Sequence, residues 1–141
     1  DAHTIRAALL AAETGHLVLT TLHTRDASKT AQRIISAMSD VEQESVRDQL
    51  ASTLEAVISQ ELLPRADGKG QVVACEILVA TSAVRQLIRE NKIEAMNDAI
   101  QAGTTVGMIS KDTSIRNLLL KKIITKEVAL EHMRNPEQLP H

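Results

Sequence analysis

The run Leu17-Val18-Leu19-Thr20-Thr21-Leu22 constrains this chain more than any other stretch. It is nearly unbroken in apolar and β-favouring residues, the pattern of a strand covered on both faces in a parallel sheet between helices. Gly15 ends the Ala-rich helical run before it and suits the left-handed residue that closes a helix. His23 and Thr24 then fall at the strand's carboxyl end, where open α/β sheets bind ligands. An α/β fold is expected.

Hydroxyls gathered at a strand tip, here Thr20, Thr21 and Thr24, suit phosphate or metal-bound water. A lone histidine at a strand end is usually a hydrogen-bonded surface residue, and these hydroxyls favour a functional reading for His23. His16 and His23 would stand roughly 23 Å apart at ~3.3 Å per extended residue, so they cannot share a metal ion. No metal site is expected.

With no Phe, Tyr or Trp, the core has to come from Leu, Ile, Val, Ala and Met. A net charge of -2 argues against a dedicated nucleic-acid binder. The single cysteine, Cys75, excludes an intrachain disulfide and fits a reducing compartment. It lies in an apolar strand, which favours a buried thiol. No apolar run approaches the roughly 20 residues that span a membrane, and there is no signal peptide, so no membrane insertion is expected.

In chain order, residues 1–14 read as a helix with Ile5, Leu9 and Ala12 on one face. A βαβ unit needs a strand before such a helix and none is present, so a fragment is expected. A helix capped by Asp26 runs to Met38. Ser39 with Glu42 and Asp40 with Gln43 form overlapping capping boxes for a helix to about Val57, its stripe including Val57 and Ile58. Residues 60–65 and 71–79 read as a hairpin about Ala66-Asp67-Gly68-Lys69-Gly70. That turn lacks the spacing of a phosphate loop. Glu76 interrupts the second strand and reads as a paired structural carboxylate. Thr81 opens a helix through Asn91, followed by a short helix over 93–102 closed by Gly103. Further helices are expected with caps Asp112 and Thr125, and Pro136 opens a last short one. His132 and His141 read as surface residues.

Thr14-Gly15-His16-Leu17-Val18 through Thr21-Leu22-His23-Thr24 resembles the histidine box of the secretion ATPases, the hexameric RecA-like motors of type II secretion and type IV pili. Leu10 to Glu13 and Ala27 to Thr30 match as well, and the resemblance reaches nearly the last residue. Ala83-Val84-Arg85-Gln86-Leu87-Ile88-Arg89-Glu90 resembles the AIRNLIRE motif of pilus retraction ATPases, departing at Val84 and Gln86. Arg85 and Arg89 share a helix face although like charges at that spacing repel. The resemblance favours a docking surface there over a merely solvated face. Two further departures are His3, where the family usually has an acidic residue, and Lys122, near its usual turn glycine.

The resemblance implies the carboxyl-terminal part of a RecA-like P-loop ATPase core over 1–80 and a helical region over 81–141. It implies ATP and Mg²⁺ as ligands and a homohexamer acting on an inner-membrane pilus platform protein, hence a cytoplasmic protein peripheral at the bacterial inner membrane. His23 would sense or orient the γ-phosphate and its water, Thr21 and Thr24 would support it, and His16 would brace the strand or a subunit contact. The chain lacks the phosphate loop and the catalytic glutamate, so alone it is expected to be inactive. A type II secretion or pilus extension ATPase, and a non-enzymatic helical interaction module, are the alternatives.

Overall fold

The computed structural model describes residues 1–139; His141 lies outside the described residues. Asp1 caps the first helix, its carboxylate accepting from the Thr4 N–H at 2.9 Å. That helix, α1 (Ala2–Glu13), buries Leu9 and closes at Gly15 with φ +93°, as the sequence predicts. Residues 16–24 form no regular element. Leu17 is 82% and Leu19 86% exposed, which corrects the expected strand buried on both faces. The reason is pairing: among the described residues the one sheet is a two-stranded hairpin, and neither strand runs beside residues 17–22. Val18 and Leu22 are half-buried, so the segment is covered on one side at most.

Asp26 caps α2 (Ala27–Ser36), accepting from the Lys29 N–H at 2.7 Å. The Glu42 carboxylate accepts from the Ser39 N–H at 3.3 Å, and Gln43 donates to Asp40 at 3.1 Å. These bonds shape the turn before α3 (Gln43–Thr53), whose own N-cap residue Glu42 makes no side-chain capping bond. The helix stops at Thr53 and Leu54 is extended. Val57 and Ile58, expected on a helical stripe, stand instead in β1 (Ala56–Pro64). Antiparallel pairing with β2 (Gln71–Val79), from Ala56 opposite Val79 to Pro64 opposite Gln71, satisfies their backbone. Their β-branched side chains favour that outcome.

The helices after the hairpin are α4 (Ser82–Arg89), α5 (Met96–Ala102), α6 (Lys111–Leu120) and α7 (Lys126–His132). Thr81 and Thr125 cap α4 and α7 as expected. The cap of α6 is Ser110, which accepts from the Thr113 N–H at 3.2 Å, rather than Asp112. Asp112 sits in the first turn and turns inward. Lys122 takes the left-handed turn between α6 and α7 at φ +56° without a glycine. Pro136 opens a single tight turn, Pro136–Gln138.

Two aliphatic cores result. One joins α1 to α5 around Leu50, Leu78, Val84, Ile88 and Met96; the other joins the hairpin to α6 and α7 around Leu63, Ile115 and Ile124. Both lean on the hairpin, which contributes Leu78 to the first and Leu63 and Ala74 to the second. Cys75 is only half-buried. Among the described residues no helix is long and apolar enough to cross a membrane.

Leu78 is fully buried, so Leu78→Ala should cost this chain about 2–5 kcal/mol in urea unfolding. Leu17→Ala should change it by less than about 0.5 kcal/mol. A comparable loss at Leu17 would contradict its exposed placement.

Candidate functional site

A helix amino terminus presents N–H groups without intrahelical partners. At α2 two carboxylates take them. Asp26 accepts from Lys29, and Glu76 of β2, 1% exposed, accepts from the Ala27 N–H at 2.9 Å. Glu76 is therefore the paired structural carboxylate expected from the sequence. The Arg134 guanidinium reaches both: Nη1 lies 3.1 Å from Glu76 Oε2, an ion pair without hydrogen-bond alignment, and Nη2 lies 3.3 Å from Asp26 Oδ2. Nη1 also donates to Asn97 Oδ1 at 2.9 Å. Asp112 holds the adjoining backbone, accepting from the N–H groups of Arg134 at 2.9 Å and Asn135 at 3.0 Å. A cavity of about 60 Å³ opens beside Glu76, Asn97, Asp112 and Arg134. Burial raises the Asp26 pKa. The Lys29 N–H, the Ser28 hydroxyl and the charges of Arg134 and Lys29 outweigh that, leaving it below its ordinary 3.8.

The residues expected at the strand tip lie immediately before this cluster. Thr21 and His23 are exposed, and Thr24 is half-buried. Thr24 Oγ1 lies 2.6 Å from Thr30 Oγ1, which donates to the Asp26 carbonyl at 2.9 Å, so Thr24 is tied to the first turns of α2. His16 is at the other end of the segment, its Nδ1 3.2 Å from Thr14 Oγ1 and 3.3 Å from the Ala11 carbonyl, packed on the end of α1. The structure keeps the two histidines in separate surroundings. Beneath the segment runs an open groove of about 860 Å³, lined by Ile5 and Leu9 of α1, by Leu17 and Leu22, and by Ile58.

Two other expectations change. His132, expected at the surface, is half-buried with Nδ1 2.7 Å from Glu61 Oε1, while Lys111 Nζ is 2.7 Å from Glu61 Oε2. Burial raises the Glu61 pKa, but these two donors outweigh it and hold it below the ordinary value. Arg85 does not share an open face with Arg89. Its guanidinium donates to the carbonyls of Ala51 at 2.8 Å and Ser52 at 3.0 Å and pairs with Glu55 at 3.2 Å. It thereby serves the free carbonyls at the end of α3, where the helix dipole favours a cation. Arg89 is exposed.

Arg134 went unread in the sequence, and Asp112 was read only as a helix cap. Glu76 was visible as a charge inside an apolar strand, but nothing local to Arg134 marks it, since its partners come from three distant elements.

The family described as type II/IV secretion system protein matches residues 1–105. The chain belongs to that family. Within this secretion family it is 48% identical over 139 residues to the twitching motility protein of Neisseria gonorrhoeae, covering 99% of this chain and 37% of that one. It is 45% identical over 137 residues to the type IV pilus retraction ATPase PilT of Pseudomonas aeruginosa, covering 97% and 40%. The crystal structure of the pilus retraction motor PilT with bound ADP superposes with a TM-score of 0.82 at 40% identity, over 99% of this chain and 38% of that one. The ATPase DotB of Legionella pneumophila superposes at 0.77 with 30% identity, over 92% and 35%. The chain thus spans about two fifths of the curated relatives' length, 37% and 40%.

Because the folded-state pKa of Asp26 is depressed, its contribution to stability is present above 3.8 and is lost as pH falls through the folded value. Asp26→Asn should therefore be less stable than the parent at neutral pH, and the gap should close as pH falls below 3.8. Urea unfolding across that range checks it; a gap independent of pH would remove Asp26's charge from the account.

Proposed function

We propose that this chain belongs to a hexameric ATP-hydrolysing motor that powers type IV pilus retraction and twitching motility. In this reading residues 1–80 are the carboxyl-terminal part of its RecA-like core and residues 81–141 the helical region that follows. The observation that carries it is the likeness over nearly the whole chain to a retraction ATPase, a twitching motility protein and the ADP-bound PilT motor. The helix opening at Thr81 with the Ala83–Glu90 motif favours retraction over the extension or secretion reading.

The exposed imidazole of His23 and hydroxyl of Thr21, with the half-buried Thr24 beside them, suit one edge of a polyphosphate. Among the described residues no group of three His, Cys, Asp or Glu is placed to hold a metal ion, and no Mg²⁺ ligand is assigned to this chain. Bound ATP with Mg²⁺ supplies the phosphoryl group and the charge neutralisation its transfer requires. His23 would orient the attacking water at the γ-phosphate, with Thr21 and Thr24 holding neighbouring oxygens. His16, bonded to the end of α1, would brace the segment or a subunit contact. The motor would work on the cytoplasmic side of the bacterial inner membrane, against a platform protein of the pilus.

In the full-length protein His23→Ala should lower kcat for ATP by about a hundredfold, within the range of positioned catalytic groups. His16→Ala should cost far less. Equal losses with intact hexamers would count against the assignment. Arg85 and Arg89 should also separate. Arg85→Ala should cost about 1–2 kcal/mol of stability through its lost carbonyl bonds. Arg89→Ala should change stability by less than about 0.5 kcal/mol and keep ATP turnover. If the α4 face docks a partner, Arg89→Ala should nonetheless abolish twitching; normal twitching would leave that face merely solvated.

A further inference from the structure

We propose that Arg134, near the end of the chain, is a positioning residue for the His23–Thr24 segment. This rests on the nucleotide role proposed above for that segment.

Asp26 and Glu76 together take the free N–H groups of Ala27 and Lys29 at the start of α2. Two carboxylates at one helix terminus fit the dipole but repel each other, and a cation between them offsets that repulsion. Arg134 touches both, at 3.3 Å and 3.1 Å. No other Lys or Arg among the described residues pairs with Glu76. Lys29 reaches only Asp26, at 3.5 Å, and its side chain is 64% exposed. Arg134 is itself fixed. Asp112 holds its backbone N–H at 2.9 Å and that of Asn135 at 3.0 Å, and Asn97 takes a guanidinium N–H at 2.9 Å.

The contact continues to the segment through short covalent and hydrogen-bonded links. Asp26 lies two residues after Thr24. Thr24 is bonded to Thr30, which is bonded back to the Asp26 carbonyl. The start of α2 therefore sets where Thr24 sits, and His23 is the next residue before it. Without the cation, Glu76 is a buried carboxylate with one N–H partner and no compensating charge, an arrangement that is costly to keep. The Ala27 N–H is held by that carboxylate, so relieving the cost disturbs the start of α2. A residue in the helical end of the chain thus governs the placement of an imidazole on the histidine box, an arrangement that ties α5 and α6 to the candidate site.

The test uses the full-length protein, with ATP hydrolysis, urea unfolding and the His23 imidazole proton resonances read on the same samples. Arg134→Ala should lower kcat about tenfold or more, change KM for ATP less than about twofold, and shift the His23 resonances. Arg134→Lys, which keeps the charge, should restore most of kcat. Should Arg134→Ala fail to fold, the double variant Glu76→Gln with Arg134→Gln leaves no unpaired charge at position 76 but still lacks the guanidinium beside Asp26; it should fold with kcat still low. Unchanged kcat in the folded variants, with His23 resonances as in the parent, would overturn the proposal. If the parent hydrolyses no ATP, the functional reading fails, and the His23 resonances alone then decide whether Arg134 positions the segment.

Discussion

A carboxylate sealed inside an apolar strand dictates how the rest of the chain can close. Glu76 lies in β2 between Cys75 and Ile77 and is 1% exposed. An isolated buried carboxylate costs several kcal/mol even after relaxation, and removing one partner of a buried ion pair costs about 3–5 kcal/mol. Those magnitudes match or exceed the loss of a core methyl group, about 0.5–1.5 kcal/mol. The hairpin must therefore present Glu76 to a donor and a cation together. The start of α2 supplies the N–H and Arg134 the charge. The strand that carries Glu76 serves both cores: Leu78 belongs to the one shared with α1 to α5, and Ala74 to the one shared with α6 and α7.

Helix ends elsewhere repeat the same electrostatics with opposite signs. Arg85 serves the carboxyl end of α3 through the Ala51 and Ser52 carbonyls, where the partial negative charge of the dipole lies. The eight-residue stretch Ala83–Glu90 therefore carries more than one physical duty. Val84 and Ile88 are fully buried, Arg85 braces α3, and Arg89 stays in solvent. Repulsion between the two arginines is small because Arg85 is turned away to its own acceptors. The stretch is tied to the fold through Arg85 and leaves Arg89 free to meet something else.

Local signals were legible and distant partners were not. Asp26, Thr81 and Thr125 act as caps, and Gly15 closes α1, because each rests on bonds within a few residues. The hairpin turn was readable for the same reason. Val57 and Ile58 were misplaced because a helical stripe and a strand edge share apolar residues, and only the ladder to Leu78 and Ile77 decides between them. Ser110 caps α6 in place of Asp112 because the backbone of Arg134 and Asn135 claims the Asp112 carboxylate. His132 pairs with Glu61 across the fold, a contact with no trace in local sequence. At the candidate site, His23 and Thr21 were proposed from residue type and order and are exposed, while the charges that hold their neighbour Asp26 were invisible until the fold brought them together.

The segment from His16 to Thr24 shows why its two histidines differ. Its backbone has no ladder, so its geometry is set from its ends. At one end His16 bonds to Thr14 and Ala11 on the finished turn of α1. At the other, Thr24 bonds into α2, whose first N–H groups are fixed by two carboxylates. Between them, Leu17 and Leu19 are exposed, and a backbone without ladder partners there loses little because water can take its hydrogen bonds. Such a stretch transmits position poorly over several residues. His23, one residue from the anchored Thr24, inherits its placement from α2 and from the charges beneath it. His16 inherits its own from the end of α1, through Thr14 and the Ala11 carbonyl. A difference in the surroundings of the two imidazoles thus follows from which helix end each is fastened to, before any ligand is considered.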